Sequence, residues 1–184
     1  MTKKFGDAKV SSMKFKNIPS FTNSGNYRIT VPWNHLEEQL NHYNDAQLYK
    51  MEMNPDFQRG HVWTESQQRK YVEYILRGGN SSKEIYWNCN GWMGSFKGPM
   101  YLVDGKQRLE AVRKFLRNEL AIFDGNYLKN FEDKIPLDAI FNFNINNLKT
   151  RKEVIQWYLD LNEGGTPHTD EELERVKSLL VLEK

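Results

Sequence analysis

Five consecutive residues at one sharp turn carry the strongest chemical signal in this chain of 184 residues. An apolar run ends at Asp104 and Gly105. The apolar spacing that follows predicts a helix whose first residues are Lys106, Gln107 and Arg108. A helix start presents free backbone N–H groups and the positive end of the helix dipole, so these side chains would suit a phosphate group. Asp104 is a candidate to bind a divalent ion or to orient a water. A solvated polar cap would use the same residue types.

A second polar segment lies just before another predicted helix. Thr64 and Gln67 have the spacing of a capping box, which predicts that a helix begins there. Arg59 therefore lies on a short loop, where it is a second candidate contact for an anion. The alternative is a surface arginine that packs its alkyl chain on Trp63. His61 is the only histidine inside either segment, and a pocket role and a structural role are both open for it.

The two segments together resemble a known family. Residues 57–63 (Phe-Gln-Arg-Gly-His-Val-Trp) and residues 104–108 (Asp-Gly-Lys-Gln-Arg) are similar to boxes in the N-terminal nucleotide-binding domain of GmrSD-type modification-dependent restriction enzymes. That domain belongs to the ParB/sulfiredoxin-like superfamily. Residues 161–167 resemble a third family segment, which precedes a helix, and the whole resemblance spans residues 32–182.

The resemblance implies a set of site residues. The family's contacts with the phosphates of a nucleoside triphosphate would fall on Arg59, Asp104, Gln107 and Arg108. Gly105 and Lys106 at the helix start are further candidates for phosphate binding, and magnesium is the candidate ion to accompany the nucleotide. Asp104 and Arg108 would act in catalysis, and Asp104 would also be the candidate ligand for the divalent ion.

Three further residues are candidates to line the same pocket, namely Gln58, His61 and Asn162. One residue departs from the family pattern, because Lys106 stands where the family usually has glutamine. The extra positive charge is compatible with phosphate binding, and we expect it to affect base choice or the rate of hydrolysis.

Length and composition indicate one small domain that follows a basic segment. We expect residues 1–30 to form a weakly ordered segment, either a DNA-contacting arm or a solvated tail, and residues 31–184 to form a single domain. The net charge of +2 does not by itself require a nucleic-acid partner. The family's helical region and nuclease domain have no counterpart before Lys184, so we do not expect DNA cleavage by this chain alone.

The single cysteine, Cys89, excludes an internal disulfide and a cysteine-based zinc site. It alternates with Ile85 and Trp87, which predicts a buried position rather than a nucleophile. The sequence shows no secretory signal and no apolar run of about 20 residues that could span a membrane. We therefore expect a cytoplasmic protein that does not bind membranes.

The order of the predicted elements indicates an α+β fold with a small mixed sheet and flanking helices. The resemblance implies that this fold is of the ParB/sulfiredoxin-like type. We predict strands at 84–89, 100–103, 121–123 and 140–145, and a further strand near 48–53. We predict helices at 33–45, 64–77 and 106–118, and two more that begin at the capping boxes of Thr150 and Thr169. Residues 90–99 should form a turn or a long hairpin loop. Its Trp92 is a candidate to stack on a base, or else folds back on the sheet.

Three functional hypotheses follow. The first is a domain that binds and hydrolyses a nucleoside triphosphate within a DNA restriction system, or within a phage counterpart of one. The second is a non-catalytic module that binds DNA or a protein such as a nuclease of a defence system, with basic residues 1–16, Lys149, Arg151 and Lys152 toward DNA. The third is a ParB-like nuclease that would use Asp56, Asp104 and Glu110. The patterns specify neither the base preference nor the oligomeric state.

Overall fold

The structure, a computed structural model, describes residues 18, 21–23, 25–45, 50–58, 60, 62–162 and 170–183. Its strands are β1 (Tyr27–Pro32), β2 (Met51–Glu52), β3 (Glu84–Cys89), β4 (Met100–Asp104) and β5 (Ile140–Asn146). Its helices are α1 (Leu36–Tyr43), α2 (Glu65–Leu76), α3 (Lys106–Leu116), α4 (Arg151–Asn162) and α5 (Asp170–Leu182), with short 3-10 turns at Trp33–His35 and Leu128–Asn130. None of the helices described is both long enough and apolar enough to cross a membrane.

The five strands form one mixed sheet in the order β1-β5-β3-β4-β2. β3 pairs in parallel with β5 and antiparallel with β4, while β2 is a short parallel edge strand beside β4. Tyr86 of β3 lies opposite Asp104, the last residue of β4. The expected α+β class with a small mixed sheet is therefore confirmed.

Helices cover both faces of the sheet. Side chains of a strand point alternately to opposite faces, so Ile85, Trp87 and Cys89 enter the larger core, with residues of α1, α2 and α3. Tyr86 points the other way and packs with the smaller core, which α4 and α5 supply together with Phe57. The turn from β4 to α3 connects the two layers, because Val103 belongs to the smaller core and Leu109 to the larger one.

Two of the predicted capping boxes are confirmed. The Thr64 hydroxyl accepts a hydrogen bond from the Gln67 N–H, and the Gln67 side chain accepts one from the Thr64 N–H at 2.8 Å. Thr150 and Glu153 make the same reciprocal pair at the start of α4. These local bonds satisfy free N–H groups at the start of each helix and so define its first residue. The sequence alone could therefore locate both starts. The third predicted box begins at Thr169, outside the described residues.

The structure corrects the predicted strand at 121–123 and the predicted end of the N-terminal segment. Residues 121–123 form no strand, and the segment has only an isolated bridge between Ile122 and Asn126 that closes a tight turn. The predicted N-terminal segment also ends too late, because residues 27–30 pair with β5 as the start of β1. An edge strand with one half-exposed face has few apolar residues, so its sequence pattern is weak.

Trp92 in the loop between β3 and β4 folds back onto the core, the second of the two alternatives. Its side chain is only 8% exposed, and its ring lies 5.9 Å from those of Tyr43 and Phe96 in edge-to-face contacts. Met93 is exposed instead. The indole therefore fills the core and does not offer a free face for base stacking.

The turn at Gly105 provides a stability test. Gly105 has a φ of +98°, and a Cβ built there would lie 2.6 Å from Cδ1 and 3.2 Å from Cα of Ile85. A Gly105→Ala variant should therefore lose about 2–4 kcal/mol of unfolding free energy, from the left-handed conformation and from overpacking. Urea denaturation monitored by tryptophan fluorescence would measure the loss.

Gly125 is the matched control for this substitution. It has the same φ of +98°, but a Cβ there would have no neighbour within 4 Å. Gly125→Ala should cost only the conformational part, about 1–2 kcal/mol. Equal losses in the two variants would contradict a close contact between the turn and Ile85.

Candidate functional site

A small polar pocket lies at the start of α3, where three segments of the chain meet. The turn and first residues of α3 supply one wall, residues 103–108. Gln58 and Trp63 come from the segment before α2, and Tyr158 and Asn162 come from the end of α4. The pocket has a volume of about 70 Å³. The structure thus brings together most of the predicted site residues that it describes.

The first turn of α3 has no side-chain cap, because its N-cap residue is Gly105. The glycine approaches Ile85 so closely that no larger residue fits without a shift. The helix proper is established when the Leu109 N–H bonds the Gly105 carbonyl at 2.9 Å. This arrangement turns the N-terminal end of the helix, with its partial positive charge, toward the pocket.

Gln107 fastens the preceding loop to α3. Its Oε1 accepts hydrogen bonds from the N–H groups of Val62 and Trp63, both at 3.1 Å, and its Nε2 donates to the Gly60 carbonyl at 3.1 Å. The side chain is only 8% exposed. Sequence reasoning assigned Gln107 to phosphate binding and did not foresee this role. One Nε2 hydrogen remains for any ligand contact, so the predicted phosphate contact stays a prediction.

Arg108 and Asp104 form an ion pair across the turn. Arg108 Nη2 donates to Asp104 Oδ2 at 2.7 Å, and the arginine side chain is 21% exposed. The Arg108 Nε atom is buried and has no hydrogen-bond partner among the residues described. The aspartate therefore orients the guanidinium group and offsets its charge. The positive potential of the pocket then depends on Lys106 and the start of α3.

Lys106 lines the pocket and is partly buried. Burial lowers the pKa of Lys106, and the nearby Glu110 carboxylate opposes that shift. A bound anion would favour the charged form of the lysine and raise its pKa again. The pKa of Lys106, the residue that departs from the family pattern, would therefore change when an anion binds in this pocket.

Gln58 contributes a fixed amide to the pocket wall. Its Nε2 donates to the Leu102 carbonyl at 2.6 Å, while its Oε1 is buried without a hydrogen-bond partner in the described part of the chain. Asn162, also predicted, donates to the Tyr158 carbonyl at 2.6 Å and lies one helical turn after that tyrosine. Arg59 and His61, the other two predicted residues, lie outside the described residues.

Trp63, Val103 and Tyr158 line the pocket, although sequence reasoning did not assign them to it. Trp63 is the last residue of the first recognised box and Val103 directly precedes the second, and these positions were the available signal. Tyr158 follows the apolar spacing of α4, which is equally typical of a core residue.

The carboxylates proposed for a nuclease do not form a metal centre. Each pairs with a different arginine: Asp104 with Arg108, Asp56 with Arg151 at 2.5 Å, and Glu110 with Arg113 at 3.2 Å. The described residues contain no group of three or more histidine, cysteine, aspartate or glutamate side chains that could hold a metal ion. The geometry therefore gives the nuclease hypothesis no support. Arg151 also pairs with Glu183, which weakens the predicted DNA-contacting surface.

A family model described as the N-terminal domain of the GmrSD restriction endonuclease matches residues 36–139. This match covers more than half of the chain. The chain belongs to the GmrSD N-terminal domain family. Searches of curated proteins and of solved structures returned no match.

Membership of the GmrSD N-terminal domain family links the chain to restriction systems. The matched range includes residues 57–63 and residues 103–108, so two of the three pocket segments lie within it. It is shorter than the resemblance that we read from the sequence, and it excludes residues 161–167. The wall supplied by α4 therefore lies beyond the family match.

Removal of the Gln107 amide should loosen the loop before α2. Gln107→Ala leaves three backbone groups without their partner, at about 0.5–1.5 kcal/mol each, so we expect a loss of about 2–4 kcal/mol. Amide hydrogen exchange at Val62 and Trp63 should accelerate. Gln156→Ala, which removes an exposed amide that donates to Asp160, is the control and should leave both amides protected. Unchanged exchange in the Gln107 variant would contradict this role.

Cys89 should be inert in the folded protein, as the sequence predicted. The residue is fully buried, and burial raises the pKa of its thiol to about 11. At pH 8 the thiolate fraction is then about one in a thousand. Ellman's reagent should label Cys89 only after denaturant is added. A Ser66→Cys variant, with its new thiol on the exposed face of α2, should gain one rapidly labelled group. Rapid labelling of the unaltered protein would contradict the burial.

Proposed function

We propose that this domain binds a nucleoside triphosphate by its phosphate groups in the pocket at the start of α3 and hydrolyses it. The observation that supports this most is that Arg108 lines the pocket beside a helix start without a side-chain cap, and its buried Nε has no hydrogen-bond partner among the described residues. A cation and backbone N–H groups directed to one small space suit a phosphate oxygen.

The roles of the other residues follow from their positions. Asp104 holds Arg108 in place, and Lys106 adds a positive charge at the pocket. The backbone N–H groups after Gly105 would bind phosphate oxygens, together with the remaining Nε2 hydrogen of Gln107. Arg59 is retained as a predicted second cation. Phosphoryl transfer depends mainly on such positioning and charge neutralisation.

The size of the pocket suits part of the nucleotide rather than all of it. Its volume of about 70 Å³ is well below the 300–1,000 Å³ of typical small-molecule sites. A single phosphoryl group matches this space, and the nucleoside would lie outside it. Base preference would then depend on residues beyond the pocket wall.

Magnesium fits the site only as a partner of the nucleotide. Asp104 is the one carboxylate among the described lining residues, and its Oδ2 already accepts from Arg108. Magnesium is commonly bound through one or two carboxylates together with substrate phosphates and waters. Asp104 could contribute one such oxygen. When bound, the ion would neutralise charge on the phosphates.

The same ion pair supports a second candidate function. A carboxylate that is committed to Arg108 is a poor general base, so the domain could bind nucleotide without turnover. Nucleotide would then act as a ligand that switches binding to DNA or to a nuclease of a restriction system. The family link to restriction systems suits both candidates.

A thermal-shift screen tests the binding proposal. ATP, GTP, CTP and UTP would be added to the unaltered protein with and without magnesium. A ligand at 100 times its dissociation constant adds about 2.7 kcal/mol, which corresponds to about 5–10 °C in Tm for a chain of this size. Arg108→Ala should abolish the shift, because the loss of one charged phosphate contact costs about 2–4 kcal/mol.

Arg117→Ala is the matched control. Arg117 directly follows α3, at the end remote from the pocket, and pairs with Glu37 at 2.8 Å. This variant also loses an arginine ion pair but should keep the full shift. A shift that survives Arg108→Ala would place the nucleotide elsewhere, and no shift with any nucleotide would overturn the proposal. Phosphate release then separates turnover from binding alone.

A further inference from the structure

Two residues that line the pocket, Gln58 and Arg108, each have one buried polar atom without a hydrogen-bond partner among the described residues. Gln58 Oε1 can only accept a hydrogen bond, and Arg108 Nε can only donate one. Buried polar groups in folded proteins are nearly always satisfied by protein, water or ligand. The pair therefore describes the hydrogen-bonding character of whatever fills the pocket.

The orientation of the Gln58 amide follows from its neighbour. Its Nε2 donates to the Leu102 carbonyl at 2.6 Å, and the opposite orientation would place two acceptors against each other. Leu102 lies inside β4, so this anchor is part of the sheet. The acceptor Oε1 is consequently held in position before any ligand binds.

A phosphate group satisfies only one of the two atoms. An ionised phosphate oxygen accepts a hydrogen bond from Arg108 Nε, but it has no hydrogen to donate to Gln58 Oε1. Two acceptors in contact would repel each other. The group that faces Gln58 must therefore carry a hydrogen, as a water molecule or a hydroxyl does.

We propose that Gln58 Oε1 accepts a hydrogen bond from the water that attacks the γ-phosphorus of the nucleotide. This inference rests on the proposed function, since it needs a triphosphate bound at Arg108. In this arrangement the N–H groups at the start of α3 donate hydrogen bonds to the phosphate oxygens, and the water donates one to Gln58 Oε1. The water then lies beside the phosphoryl group. Gln58 thereby becomes a catalytic residue of the hydrolysis.

The step balances without any further reactant. The water oxygen bonds to the γ-phosphorus, and the bond from that phosphorus to the β,γ-bridging oxygen breaks. The bridging oxygen keeps the electron pair and leaves on the nucleoside diphosphate. An amide oxygen is too weak a base to take the proton, so the water proton passes to a γ-phosphate oxygen. The products are nucleoside diphosphate, inorganic phosphate and one proton.

The test compares hydrolysis with binding in one variant. Gln58→Met keeps the length of the side chain and removes the acceptor. We expect the single-turnover rate of phosphate release to fall about 100-fold, as it does when a reacting group loses its alignment. The Kd of the β,γ-imido analogue, measured by calorimetry, should change less than about threefold. Gln156→Met, on the exposed face of α4, is the control and should alter neither quantity.

A ribose hydroxyl is the other group that could face Gln58, and deoxynucleotides distinguish the two. If Gln58 binds the ribose, the unaltered protein should bind the 2′-deoxy or 3′-deoxy nucleotide more weakly, and Gln58→Met should remove that difference. This result would overturn the water assignment. An unchanged hydrolysis rate in Gln58→Met, or nucleotide binding without any hydrolysis by the unaltered protein, would also overturn it and leave the binding proposal intact. Absence of nucleotide binding by the unaltered protein would reject the proposed function itself.

Discussion

The hydrogen bonds of one buried carboxamide unite the two sequence boxes of this domain. Gln107 belongs to the first turn of α3, yet its side chain binds backbone groups of Gly60, Val62 and Trp63 from the other box. Because it satisfies two N–H groups and one carbonyl together, the loop before α2 has a fixed relation to the turn after β4. A pocket between the two segments depends on that relation. Gln107, which the sequence predicted as a phosphate ligand, thus also supports the site.

Charge in the pocket is balanced rather than simply positive. Asp104 binds Arg108 at 2.7 Å, so the guanidinium group is oriented while part of its positive potential is neutralised. The start of α3 and Lys106 supply the remaining positive potential, and burial lowers the pKa of Lys106. An arrangement with a directed guanidinium and one responsive lysine favours an anion of defined geometry over anions in general. Phosphoryl groups have that geometry.

Local sequence rules located most of the elements correctly. β3 was predicted with its observed bounds, and the capping boxes located the starts of α2 and α4, because each signal lies within a few residues of the feature that it predicts. The predictions that failed concern features that depend on residues distant in sequence. Residues 121–123 have strand composition but form only the bridge that closes a tight turn, and β1 is a strand because β5 lies beside it. Trp92 looked exposed in a glycine-rich loop, but Tyr43 of a distant helix covers it.

The sequence by itself determined the turn and its chemistry: Gly105 where φ must be positive, an arginine one helical turn after an aspartate, and a family match over residues 36–139. The glycine turn and the aspartate–arginine pair follow from backbone sterics and from a short spacing in the sequence, and neither depends on distant residues. Only the tertiary structure decided what Gln107 and Gln58 do. Their partners lie more than 40 residues away in sequence, so packing of β4, α3 and the loop selected those bonds. The same packing left one acceptor of Gln58 and one donor of Arg108 buried without a hydrogen-bond partner in the described part of the chain, and both residues line the pocket.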